Sequence, residues 1–136
     1  VPIGKAVVRR AGRDLTIISY AAMLHTSLEA AAELAKEGIE AEVVDLRTLL
    51  PLDHETILAS VRKTNKLLVV HEDTRTGGMA GEIAALVTES AFEDLDGPIR
   101  RVTSLDTPVP YASALEEYFL PNVAKVVTMA RELAHY

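Results

Sequence analysis

Apolar residues change their spacing along this chain in a repeating order. Val7-Val8 and Leu15-Thr16-Ile17-Ile18-Ser19 are β-rich runs, with turn-forming Ala11-Gly12-Arg13-Asp14 between them. From about Leu24 to Glu37 the spacing becomes helical, and Leu24, Leu28, Ala31 and Ala35 share one face. Gly38 is the expected stop. Ala41 to Asp45 predicts a strand, and Asp53 can cap the next helix, whose apolar face is Ile57, Leu58 and Val61. Leu67-Leu68-Val69-Val70 is uninterrupted, as in a strand covered on both faces. Gly81 to about Glu93 predicts a helix with Ile83, Leu86 and Val87 inward, and Ile99 to Ser104 another strand. A last helix starts at Pro121, a favourable first helical position, with Val123, Val126, Val127, Ala130 and Ala134 on its buried side.

Strands alternating with helices predict an α/β fold: a mostly parallel sheet with helices on both faces. The first strand joins the second through a short turn, which predicts an antiparallel pairing at an edge. With 136 residues the chain is one domain by size, spanning 1–136. It begins with Val1-Pro2-Ile3-Gly4 rather than Met and does not resemble a signal peptide, so a fragment starting inside a linker is expected.

Composition narrows the functions. Apolar residues make up 49%, too many for disorder, while aromatics are 4%, so aliphatic side chains must build the core. No apolar run is long enough to span a membrane. The absence of cysteine excludes disulfides, thiolate catalysis and Cys-ligated metals. A net charge of −6 argues against nucleic acid, and an acidic surface can instead meet a basic protein partner.

The richest stretch for chemistry runs from Val69 to Ile83, where an apolar strand meets a polar turn, glycines and a helix start. Helix N-termini carry free N–H groups and can hold phosphate. However, Gly77, Gly78 and Gly81 lack the spacing of a dinucleotide fingerprint, no Lys-Ser or Lys-Thr follows, and Glu82 is acidic. Close packing of the helix start, within the chain or against a partner, is favoured. His71 ends the strand where α/β sheets place ligands; it is either a general base or a hydrogen-bonded loop anchor. His25, His54 and His135 have no metal-ligand spacing, and no serine sits in a Gly-x-Ser-x-Gly elbow. Asp45-Leu46-Arg47 fits a salt-linked loop, and Asp106-Thr107-Pro108-Val109-Pro110-Tyr111 a rigid connection or interface.

Several blocks in order resemble one family. Gly4-Lys5-Ala6 and Ala41-Glu42-Val43-Val44-Asp45-Leu46-Arg47-Thr48-Leu49-Leu50-Pro51-Leu52-Asp53 are similar to the C-terminal domain of transketolase-like enzymes. Val69-Val70-His71-Glu72, Thr76-Gly77-Gly78, Gly81-Glu82-Ile83-Ala84, Arg101-Val102-Thr103, Asp106-Thr107-Pro108 and Pro110-Tyr111-Ala112 narrow the likeness. The chain resembles, over its whole length, the β chain of the decarboxylating component of 2-oxoacid dehydrogenase complexes, pyruvate or branched-chain type. The rivals are the matching domain of a transketolase or deoxyxylulose-phosphate synthase, against which the Asp-Thr-Pro and Pro-Tyr-Ala blocks argue, and an unrelated α/β module binding a small anion.

The resemblance implies a three-layer α/β/α fold with a five-stranded sheet whose first strand is antiparallel. It implies an intact enzyme of α and β chains, separate or fused, with a second β chain. That enzyme uses thiamine diphosphate and magnesium to decarboxylate a 2-oxoacid and passes the acyl group to lipoyl groups of an acyltransferase, in a bacterial cytoplasm or an organelle matrix. The family's diphosphate and metal ligands and its activating glutamate lie outside this domain; Asp96-Gly97 is not preceded by glycine. The chain alone is therefore expected to be inactive and to bind no cofactor. Gly77, Gly78, Gly81 and Glu82 are implied at subunit contacts. Asp96 and the carboxylate of Tyr136 are implied as docking points for the acyltransferase's subunit-binding domain. Two carboxylates on an acidic domain can orient a basic partner, although Asp96 is also an ordinary turn residue.

Overall fold

β-Branched and aliphatic side chains alternate between two faces along the central strands, and two cores result. The computed structural model describes residues 3–106 and 119–136. The elements are β1 Val7–Arg10, β2 Leu15–Ser19, α1 Met23–Ala35, β3 Ala41–Asp45, α2 His54–Thr64, β4 Leu67–Thr74, α3 Met79–Ala91, a short 3-10 turn Phe92–Asp94, β5 Arg100–Ser104 and α4 Val123–Ala134. The sheet order is β1-β3-β2-β4-β5, parallel except for β1.

On one face Leu15, Ile17, Val43, Leu68 and Val70 pack under α1 and α4. On the other, Ile18, Val44, Leu67 and Val69 pack under α2 and α3. Leu67 to Val70 are fully buried, as their unbroken apolarity requires. Each such side chain contributes roughly 1.5–3 kcal/mol on burial. The result is the three-layer α/β/α arrangement.

β1 is antiparallel and lies at an edge, but its partner is β3 rather than β2, to which the short turn joins it. β2 is already flanked by β3 and β4, so both its edges are taken. Asp53 caps α2: its carboxylate accepts from Thr56 N (3.1 Å) and Thr56 Oγ1 (2.6 Å), and also from Ala6 N (2.9 Å). The last helix differs from expectation at its start. Asn122 is the cap, its side chain accepting from Lys125 N at 2.9 Å, so Pro121 precedes the helix. Its buried residues are Val126, Val127, Ala130 and Leu133; Val123 and Ala134 are only partly covered. Strand five starts at Arg100, and α3 begins two residues before Gly81.

β3 reaches β4 by crossing over β2, whereas β2 reaches β3 directly, so the connections reverse direction between β2 and β4. Tyr20, just past β2, and His71 to Thr74, the C-terminal half of β4, occupy the position where open α/β sheets form clefts.

Candidate functional site

The glycine junction divides into residues needed by the chain and residues that are not. Gly77 has φ +79° and Gly78 caps α3 in an extended conformation. A Cβ on Gly78 would lie 2.6 Å from His71 Cε1, 2.6 Å from Thr74 O and 2.8 Å from His71 Nε2. Gly78 is therefore glycine because the His71 ring fills the space beside it. Gly81, in the first turn of α3, is exposed, and a Cβ there would meet nothing within 4 Å. Gly77, Gly78, Gly81 and Glu82 line one groove of about 660 Å³ together with Arg75 and Arg101. Thr76 fixes the turn by donating N–H (2.9 Å) and Oγ1 (2.5 Å) to the Asp106 carboxylate. Those bonds, and the nearby Arg75 charge, hold the Asp106 carboxyl below its ordinary pKa.

His71 is fully buried. Its Nδ1 lies 3.1 Å from Asp73 O, and its Nε2 is buried with no hydrogen-bond partner. Burial pushes its pKa below the ordinary imidazole value, against the smaller opposing effect of the Asp73 carbonyl. Tyr20 lies with its ring centroid 6.2 Å from that of His71 and donates its hydroxyl to Asp73 Oδ2 at 3.0 Å. Partial burial and this carboxylate raise the tyrosine pKa well above its ordinary value. A general base must reach a substrate proton; the His71 ring is fully buried beside the Gly78 backbone, with its Nδ1 bonded to Asp73 O.

The two residues implied as docking points lie on one surface. Asp96 N donates to Asn65 O at 3.0 Å, and the Asp96 carboxylate pairs with Lys66. The carboxylate is 60% exposed and the lysine side chain only 11%. The next residue, Gly97, lies against the last: a Cβ there would stand 3.3 Å from Tyr136 Cδ1. Sequence reasoning missed Lys66, thirty positions away, and missed Arg75 and Arg101 in the glycine groove.

Asp45 and Arg47 do form a salt-linked loop at 3.5 Å, joined by Arg9 at 3.8 Å. Thr107 to Tyr111, the rest of the proline-rich loop, and the Pro110-Tyr111-Ala112 block lie outside the described residues. Among the described residues no group of three or more His, Cys, Asp or Glu is arranged to hold a metal ion.

A five-stranded sheet, parallel except for its edge strand β1 and covered by helices on both faces, defines a domain of the α/β class. The chain belongs to the transketolase C-terminal domain family, which matches residues 4–126. It is 48% identical over 137 residues to the 2-oxoisovalerate dehydrogenase subunit beta of Bacillus subtilis, covering 100% of this chain and 42% of that one. It is 47% identical over 133 residues to the mitochondrial pyruvate dehydrogenase E1 component subunit beta of Dictyostelium discoideum, covering 98% and 37%. A solved structure described as a split gene transketolase, inactive beta4 tetramer, superposes with a TM-score of 0.86 at 29% identity, over 99% of this chain and 43% of that one. The chain thus spans about two-fifths of the length of these relatives.

The glycine junction does not fit a diphosphate–magnesium group. Glu82 sets a carboxylate in the first turn of α3, where a phosphate would lie.

Proposed function

We propose that this chain is the assembly and docking domain of the β chain of a thiamine-dependent 2-oxoacid dehydrogenase. The likeness of all or nearly all of this chain to part of the β subunits of 2-oxoisovalerate and pyruvate dehydrogenases supports the class. Thiamine diphosphate and magnesium belong to the intact enzyme, held by its other parts. The domain's partners are the α chain or fused α region, a second β chain and the subunit-binding domain of a lipoyl acyltransferase. The bacterial cytoplasm or an organelle matrix is its compartment.

One observation carries the assembly role. Gly81 weakens α3 by up to about 1 kcal/mol relative to alanine, yet among the described residues nothing lies within 4 Å of where its Cβ would stand. A neighbouring subunit approaching this helix start closely gives the glycine a reason. Gly77, Gly78 and Glu82 share that groove, with Glu82 available to a cation of the neighbour. His71 holds the turn behind it.

The test is Gly81→Leu in the full-length β chain, produced with its α chain. The unfolding midpoint of the β chain should stay unchanged while the assembled species disappears in sedimentation velocity. An intact assembly with full activity overturns the interface assignment. Micromolar thiamine diphosphate binding by the domain alone, measured by calorimetry, overturns its cofactor-free role.

A further inference from the structure

Leu50 is 91% exposed, more than any other large apolar side chain among the described residues, and Pro51 beside it is exposed as well. The connection that carries them, residues 46–53, is anchored at several points. Arg47 has φ +59°, a left-handed turn out of β3, and its N–H donates to Asp45 Oδ1 at 3.1 Å. Leu49 and Leu52 pack against the core under α2 and α3, and Asp53 caps α2. The loop therefore turns two leucines inward and holds the third out in water. A single scattered apolar residue on a surface is ordinary; one held out by anchored neighbours calls for an occupant. The charged residues of the loop already have partners within the domain. Arg47 pairs with Asp45 at 3.5 Å, and the Asp53 carboxylate accepts from Thr56 and Ala6.

The amino-terminal residues are stitched to this same loop. Gly4 N donates to Thr48 Oγ1 at 3.1 Å, and Ala6 N to Asp53 Oδ2 at 2.9 Å. A Cβ on Gly4 would stand 3.1 Å from Pro51 Cγ. Ile3, the residue before, is 80% exposed. In a longer chain, whatever precedes Ile3 starts from the margin of the Leu50 loop.

We propose that Leu50, with Pro51 and Ile3, is the contact through which this domain seats against the preceding domain of its own β chain, with Leu50 entering an apolar depression there. The proposal rests on the reading of this chain as part of a β chain: the matching family is a C-terminal domain, and the chain covers 42% and 37% of the related β subunits. A domain joined to the chain beside Leu50 meets it at a high effective concentration, an advantage that neither the α chain nor a second β chain shares. Seating removes from water the apolar surface that the loop holds out.

The absence of cysteine from this sequence lets a single thiol report on the contact. Leu50→Cys is placed in the full-length β chain, and maleimide modification at position 50 is followed by peptide mass spectrometry. The β chain is measured alone, over a range of concentrations, and again assembled with its α chain. Seating on the preceding domain slows modification at least tenfold relative to the same variant unfolded in urea, in both samples and at every concentration. Modification at the unfolded rate in the assembled enzyme overturns the proposal. Protection that needs the α chain, or that grows with the concentration of the β chain, makes Leu50 a contact between subunits and also overturns it. Gly81→Leu, the test of the assembly role, runs in parallel. If that variant loses assembly and position 50 is modified freely, the assembly role stands and the Leu50 contact fails. If it assembles fully and position 50 is protected at every concentration, the Leu50 contact stands and the assembly role of the glycine groove fails.

Discussion

The imidazole of His71 occupies the space that a side chain on residue 78 would need, with Cε1 only 2.6 Å from where that Cβ would lie. Three residues further on, a Cβ on Gly81 would meet nothing. Gly78→Ala must displace either a buried ring or the Thr74 carbonyl, and overpacking of this kind costs about 1–3 kcal/mol. Gly81→Ala should be neutral or stabilise the domain by up to about 1 kcal/mol. Urea unfolding of the two variants checks this. Equal destabilisation would mean that both glycines serve the domain's own packing.

His71 also predicts a dependence on pH. Burial holds its folded pKa below the ordinary 6.5, so between the two values the unfolded chain binds more protons and stability rises with pH. The contribution is complete above about pH 6.5. It is lost as pH falls from there through the folded value. Glu42 and Asp53, whose carboxyls are held below their ordinary 4.5 and 3.8, lose their contributions in a separate, more acidic window. Urea midpoints between pH 7.5 and 5 should therefore fall in the wild type and stay flatter in His71→Gln. Identical slopes would remove His71 as the cause.

Much of the fold was legible because it depends on local spacing. The unbroken Leu67 to Val70 run could satisfy only a strand covered on both sides, and Asp53 met the N–H groups that a helix start leaves free. What failed depends on contacts distant in sequence. The turn at Gly12 brings β1 near β2, yet β2 is flanked by β3 and β4, and β1 finds its place beyond β3. Leu133 was passed over for Ala134 because a step of one residue rotates a helix position by only a quarter turn, and α1 decides which face is covered. At the site, three glycines read alike in sequence. Only the His71 ring separates Gly78 from Gly81, and only the fold brings Lys66 to Asp96.

Glu42 is nearly buried and spends its carboxylate on three donors: Lys63 Nζ at 2.6 Å, Ser60 Oγ at 2.7 Å and Gly12 N at 3.2 Å. Burial works against its charge, and these donors outweigh burial. Ser60 continues the network to Thr16 at 2.7 Å, tying α2 to β2. Lys63→Met should cost about 1–3 kcal/mol, because it leaves a buried carboxylate without its cation; Lys63 is half exposed, so water limits the loss. Thermal unfolding above pH 7 measures it. A loss below 0.3 kcal/mol, roughly the scale of an exposed pair, would show that Ser60 and Gly12 suffice.

Lys66 already pairs with the Asp96 carboxylate, so in the docking role proposed above it competes with an incoming basic partner. The lysine stem is covered and its charge already neutralises the carboxylate. Lys66→Met keeps the apolar stem and removes the charge, at a stability cost of about 0–1 kcal/mol. The freed carboxylate then attracts a partner cation more strongly, by about 1 kcal/mol for unit charges 4 Å apart in water. The assembled Lys66→Met enzyme should therefore bind the subunit-binding domain several-fold more tightly, with a steeper dependence on salt, in surface plasmon resonance. Weaker binding would mean that Lys66 positions Asp96 for its partner and does not compete for it.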